Sequence, residues 1–253
     1  MSEPRSDLQS LLEGIQLLYT DLALHPEKDF GWRKGKESAR KLGYDARWVD
    51  NFPDSVWQSA APVGNPFDLG PIMPGETVVD LGCGAGVDLC IAGTLIGDRG
   101  RAIGIDITPA MVEKAKENAR VLGLRNVEAY VGDIADIPLG DACAGVVISK
   151  GVINLSPHKL CAFKEVLRLL KPGGRFQFVD MVRDSTGASS SCGSWADCVS
   201  GTVEPLQYLD TLNAIGFLDA EFVSQMDYRT APTTIGAAFR ARKAGGVGIE
   251  VIP

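Results

Sequence analysis

The stretch Thr77-Val78-Val79-Asp80-Leu81-Gly82-Cys83-Gly84-Ala85-Gly86 decides the fold of this 253-residue chain. A short β-branched and apolar run ends abruptly in glycines, and a helical pattern from Asp88 to Ile96 follows at once. Strand, glycine loop and helix in that order make a nucleotide-type loop. The glycines let the backbone approach a ligand closely, and the start of the helix presents unpaired N–H groups. A G-x-G-x-G pattern is shared with dinucleotide-binding loops, so the flanking residues must choose between ligands.

Outward from this loop the chain alternates. Strands are predicted over Arg101–Ile107, Val127–Val131, Gly145–Ser149 and Arg175–Val182. Helices are predicted over Pro109–Leu122, with Thr108 as N-cap and Pro109 at the first position, and over Lys159–Leu170, stopped by Lys171-Pro172-Gly173-Gly174. Beyond these come a helix over Pro205–Ile215 and two strands, Ala220–Tyr228 and Thr234–Ala241. Alternation of this kind implies right-handed βαβ crossovers. The expected fold is α/β: a Rossmann-like, doubly wound, mainly parallel seven-stranded sheet with an N-terminal helical arm.

Residues 76–243 form the expected domain, and 244–253 a peripheral tail. Before the domain, residues 1–75 read as one helix and an arm. Leu8, Leu11, Leu12, Ile15, Leu18, Tyr19 and Leu22 recur at helical spacing. They mark a helix packed on the body, with a lid over the pocket as the sharper alternative. Residues 25–75 read as irregular but ordered, because Trp32, Trp48 and Trp57 do not suit a flexible linker.

Three acids at successive strand ends select the ligand. Asp80, two residues before Gly82, would oppose a pyrophosphate and suits a cofactor with a cationic amino group. Asp106, ending the second strand with Ile107 after it, can accept from ribose hydroxyls, with Met111 at the ribose edge. Val131-Gly132-Asp133-Ile134 ends the third strand, where Asp133 can accept from the adenine amine and Ile134 can pack on a ring face. These residues, with Gly82, Cys83, Gly84, Gly86 and Lys150, make up the expected cofactor site. With Leu170-Lys171-Pro172-Gly173-Gly174-Arg175, the pattern over residues 76–182 resembles the class I S-adenosylmethionine-dependent methyltransferases. The resemblance implies S-adenosyl-L-methionine as cofactor.

Further stretches are similar to the arsenite methyltransferase subfamily. They are Gly64-Asn65-Pro66, Asp106-Ile107-Thr108-Pro109-Ala110-Met111, Ser149-Lys150-Gly151-Val152-Ile153-Asn154-Leu155-Ser156-Pro157 and Trp195-Ala196-Asp197-Cys198-Val199-Ser200-Gly201. That resemblance implies an acceptor held by cysteine thiolates, the soft ligands suited to a thiophilic centre. The chain departs from the pattern at Val63 and Gly151, where the subfamily has cysteine, and at Lys150, where it has asparagine. Cys198 alone matches a subfamily cysteine, with Cys192 nearby as a substitute. Lys150, Gly151 and Asn154 are placed beside the sulfonium. Cys198, Asn154 and Gly151 are the candidate catalytic or acceptor-side residues.

The expected function is methyl transfer to a small soft nucleophile: a thiol, sulfide, selenide or arsenite. Such a nucleophile needs no strong base, which suits a chain with only His25 and His158. His158 reads as a helix-start residue. An unrelated small metabolite, a cofactor-binding protein without catalysis and an NAD-type oxidoreductase are the alternatives. Asp80 and the lack of a Tyr-x-x-x-Lys pair argue against the last.

Composition limits the partners. The net charge of -7 offers no general attraction to nucleic acid or to anionic membranes. No apolar run of about 18 residues suggests a membrane span, and the polar, acidic start resembles no secretion signal, so a cytoplasmic location is expected. The six cysteines include no C-x-x-C pair, and no metal site is expected. Cys90 and Cys161 read as small buried apolar residues of helices. The oligomeric state is left open.

Overall fold

The computed structural model describes residues 5–60, 63–184 and 201–245. Its centre is a seven-stranded sheet. The strands are β1 (Thr77–Leu81), β2 (Arg101–Asp106), β3 (Val127–Val131), β4 (Ala144–Lys150), β5 (Leu170–Arg183), β6 (Phe217–Gln225) and β7 (Thr234–Lys243). They lie in the order β3-β2-β1-β4-β5-β7-β6. The five strands from β3 to β5 pair in parallel, and β7 runs antiparallel to both β5 and β6. The mainly parallel, doubly wound sheet is the one expected. Its direction of winding reverses between β1 and β4, and ligands of open α/β sheets bind at the carboxyl ends of the strands at that point.

Helices cover both faces. The described α-helices are α1 (Arg5–Leu24), α2 (Gly35–Lys41), α3 (Ala46–Asn51), α4 (Asp54–Trp57), α5 (Val87–Ile96), α6 (Pro109–Val121), α7 (Lys159–Leu169) and α8 (Pro205–Ala214). On one face Phe163, Phe176, Phe178, Tyr208 and Phe239 form a continuous aromatic core with α7 and α8. On the other, α5 is buried nearly all round, with the sheet on one side and the arm on the other. A helix enclosed in this way needs no polar face, so its sequence shows little amphipathic contrast.

The arm corrects the expectation of irregular chain. It folds into α2, α3, α4 and a 3-10 turn at Pro66–Leu69. None of its α-helices exceeds seven residues, too short for an apolar repeat to show. They are held locally by Asp45, which accepts from Arg47 N–H, and by Asn65, which accepts from Phe67 N–H, and globally by burial of Val49, Val56 and Trp57 against α5. The aromatic residues are ordered as expected: Trp57 is buried beside Tyr44, and Trp48 packs on Phe67.

Smaller corrections concern ends and faces. β5 begins at Leu170 rather than Arg175, with a register irregularity opposite Ala144 and Val146 that takes up Pro172, Gly173 and Gly174. β6 begins at Phe217 rather than Ala220. Cys161 is exposed, because the buried stripe of α7 is Ala162, Phe163, Val166 and Leu169, one position away. Cys90 is buried as expected. No described helix is long and apolar enough to cross a membrane.

Candidate active site

A cleft opens at the carboxyl ends of β1, β2, β3 and β4, with about 1000 Å³ of space between its walls, mouth included. The strand-end acids converge on it. Asp80, Asp106 and Asp133 line it, as do Gly82, Cys83, Gly84, Ile107, Met111, Ile134, Lys150 and Gly151. They are separated by up to 71 positions in sequence and are joined only by the parallel register. Leu81 pairs with Ile105 on one side and Ser149 on the other, which brings the residues that follow to one edge.

Among the expected site residues, Gly86, Gly132 and Asn154 do not line the cleft. Asn154 is fully buried, and neither polar atom of its side chain has a partner. Cys198 and Cys192 lie outside the described residues.

The fourth wall comes from α1. Leu12, Ile15 and Tyr19 line the cleft, and Gln16 Nε2 donates to Ile107 O at 2.9 Å. The apolar stripe read from the sequence therefore packs on the body and bounds the pocket at once.

Electrostatics differ among the acids. Asp106 accepts from Gly84 N–H and from Thr108 N–H, each at 2.8 Å. Burial nevertheless holds its carboxyl above the usual carboxylate range. Asp80 is more extreme. Burial first, then the neighbouring Asp88, pushes its carboxyl well up, and Lys150 only partly opposes this. Its Oδ2 is buried without a hydrogen-bond partner. A buried, unpartnered acceptor costs about 1–3 kcal/mol, so the site calls for a donor, and a cationic donor best offsets the surrounding negative charge.

Sequence reasoning missed Asp88 and Tyr44. Lys150 Nζ lies 2.7 Å from Asp88 Oδ2 and donates to the Tyr44 hydroxyl at 2.9 Å, while that hydroxyl donates to Asp88 Oδ1 at 2.7 Å. Asp88 could have been noticed as an acid in the first turn of the helix after the glycines. Nothing in sequence joins Tyr44 to Lys150 across 106 positions.

Two of the positions that depart from the subfamily pattern touch. A Cβ placed on Gly151, whose φ is +66°, would lie 2.8 Å from Val63 Cγ2. Where paired thiols were implied by the resemblance, a valine methyl fills the space. Cys83 does not replace them. Burial, then Asp106 and Asp80, hold its thiol well above the usual range, and the protonated thiol is a poor soft ligand.

A methyltransferase-domain family model matches residues 72–216. The chain belongs to that family. Its sheet and glycine loop are those of the class I S-adenosylmethionine-dependent methyltransferases, and S-adenosylmethionine is the cofactor of that class. An arsenite methyltransferase of Halobacterium salinarum is 38% identical over 184 residues, covering 71% of this chain and 46% of that relative. One from Aquipseudomonas alcaligenes is 30% identical over 184 residues, covering 69% of this chain and 52% of its own length. The chain thus spans about half the length of these curated relatives. The crystal structure of CrArsM, an arsenic(III) S-adenosylmethionine methyltransferase from Chlamydomonas reinhardtii, matches with a TM-score of 0.52 at 27% identity, over 71% of this chain and 66% of that one. The [4+2]-cyclase SpnF matches with a TM-score of 0.61 at 21% identity, over 72% of this chain and 80% of that one, a likeness of fold alone.

The residues present fit the cofactor. Asp80 has an unpartnered buried acceptor that would suit an α-amino group, and Asp106 retains lone pairs that would suit ribose hydroxyls. Met111 and Ile134 line the cleft with apolar surface, which would suit the ribose edge and the adenine ring respectively.

Proposed function

We propose that this chain transfers the methyl group of S-adenosylmethionine to a small soft nucleophile, a thiol, sulfide, selenide or arsenite. The observation that carries the reading is Asp80 Oδ2, buried and unpartnered in the wall beneath the glycine loop. It asks for a cationic amino group, which this donor has and a dinucleotide lacks. When bound, the cofactor supplies an electrophilic methyl on a sulfonium leaving group.

The protein's part is alignment and exclusion of water. Asp80 holds the amino end, Asp106 the ribose, and Asp133 with Ile134 the adenine. Leu12 and Ile15 of α1, with Val152 and Leu155 of the β4–α7 loop, dry the acceptor side. Preorganisation of this kind can contribute about 7–11 kcal/mol at its upper end. No histidine lines the cleft, so an acceptor that brings its own lone pair suits it.

The contact between Val63 and Gly151 favours an acceptor that does not depend on the subfamily's full thiol set. Cys198 remains the candidate acceptor-side thiol.

A panel of methanethiol, sulfide, selenite with reductant, arsenite and an aromatic thiol, read by S-adenosylhomocysteine release, tests the reading. Turnover of at least one is expected. Binding of S-adenosylhomocysteine without turnover of any would reduce the proposal to cofactor binding. Cys198→Ser is expected to abolish any arsenite methylation and only to weaken that of a free thiol.

A further inference from the structure

Among the described residues that line the cleft, Lys150 is the only cation. An ammonium carries three N–H donors. One points to Asp88 Oδ2 at 2.7 Å and one to the Tyr44 hydroxyl at 2.9 Å. No described residue accepts the third. The side chain is 10% exposed, and Asp88 is 7% exposed, so the pair is nearly dry and the ammonium is held rather than free to wander. Asp88 sits at the start of α5 and Tyr44 on the arm, so two separate elements fix its position.

The surroundings limit what the third donor can meet. Next to Lys150 is Gly151, with Val63 against it, so one side of the ammonium is apolar, while Asp80 stands close enough for Lys150 to favour its charged form. Asp106 is two strands away from Lys150 across β1, about 10 Å at the backbone. Asp80 belongs to the donor's amino group in the function proposed above. A link serving only to anchor the arm would need no ammonium, since Tyr44 already donates to Asp88 without it.

We infer that Lys150, held by Asp88 and Tyr44, binds and selects an anionic methyl acceptor, a thiolate, hydrosulfide or hydroselenide. This rests on the donor reading and narrows it: a neutral acceptor, such as undissociated arsenous acid, offers the third N–H a weaker partner. The chemistry balances without a base. The acceptor's lone pair forms the new S–C or Se–C bond as the methyl–sulfonium bond breaks. That bond's electrons return to the leaving sulfur, which becomes a neutral thioether. No proton moves, because the acceptor arrives deprotonated. Lys150 thereby stands where the subfamily's asparagine would offer only a neutral amide.

Thiocyanate, a small soft anion, is the probe. S-adenosylhomocysteine is titrated first, then thiocyanate into the loaded protein, by calorimetry. The variant is Lys150→Met combined with Asp88→Asn, because removing the lysine alone would strand a buried carboxylate. Lys150→Gln in the same Asp88→Asn background keeps a polar head for Tyr44 and guards against a folding failure.

The expected result is thiocyanate binding to the parent, weakened at least tenfold in both variants and by a larger factor than S-adenosylhomocysteine affinity. Failure of the parent to bind S-adenosylhomocysteine would overturn the donor reading itself. With the donor site intact, three outcomes overturn the assignment of Lys150. They are no thiocyanate binding to the parent, equal binding by parent and variants, or a loss of S-adenosylhomocysteine affinity as large as that of thiocyanate.

Discussion

Replacing Asp80 by asparagine should move binding and stability in opposite directions. In the ligand-free protein the Asp80 carboxyl lies among Asp88, Asp106 and Lys150, with Oδ2 unpartnered. Burial and Asp88 push its pKa up, so the folded protein holds the proton more tightly than the unfolded chain. A raised folded pKa contributes stability that is full below the unfolded value, about 3.9, and is lost as pH rises through the folded value. At neutral pH the carboxyl is therefore a liability until a cation arrives. Asparagine has the same shape and no charge, so the melting temperature of ligand-free Asp80→Asn at neutral pH should equal or exceed that of the parent.

Binding should fall. A hydrogen bond to a charged group contributes about 1.5–3 kcal/mol, which is roughly 10- to 150-fold in dissociation constant. Titration calorimetry with S-adenosylhomocysteine measures it, since that ligand carries the α-amino group. Methylthioadenosine, which lacks the amino acid portion, should bind parent and variant alike, and the difference between the two ligands isolates the contact. Equal losses for both ligands, or none for S-adenosylhomocysteine, would refute the pairing of Asp80 with the amino group.

Three further outcomes follow from the structure. Gly82→Ala should cost about 2–5 kcal/mol in denaturant unfolding, combining left-handed backbone strain with overpacking, because φ is +64° and the new Cβ would lie 2.4 Å from Val152 Cγ2. Asp180, buried and accepting from Asn154 N–H, Met181 N–H and the Tyr208 hydroxyl, is pushed up to about 7 by burial. Its contribution to stability is lost as pH climbs from about 4 to about 7, so a melting-temperature profile should slope downward there. Asp180→Asn should flatten that slope and cost about 1–3 kcal/mol, since an amide offers one acceptor oxygen where two are used.

How much of this was legible in the chain depends on the range of each interaction. The loop Gly82–Gly86, the strand-end acids and the alternation of strand and helix are local patterns. A strand buried on both faces is written in consecutive apolar residues, and a carboxylate at its end is written next to it. The sequence by itself therefore determined the doubly wound sheet and the place of its ligand edge, and Asp80 in it is what suggests a cationic group on the ligand. Set beside the subfamily it resembles, it also has Val63 and Gly151 where that subfamily has cysteine.

Only the tertiary structure decided that Val63 and Gly151 touch, that α1 walls the cleft and that Asn154 does not line it. It alone joined Tyr44, Asp88 and Lys150 into one buried cluster. Those contacts cross the chain between elements with no common period. They exist because parallel strand register and helix packing bring distant residues to one edge, and side-chain type alone does not encode that geometry. The glycine loop and the strand-end acids beside it point to the donor from local sequence; the partners of Lys150 become visible only once the arm is folded against α5.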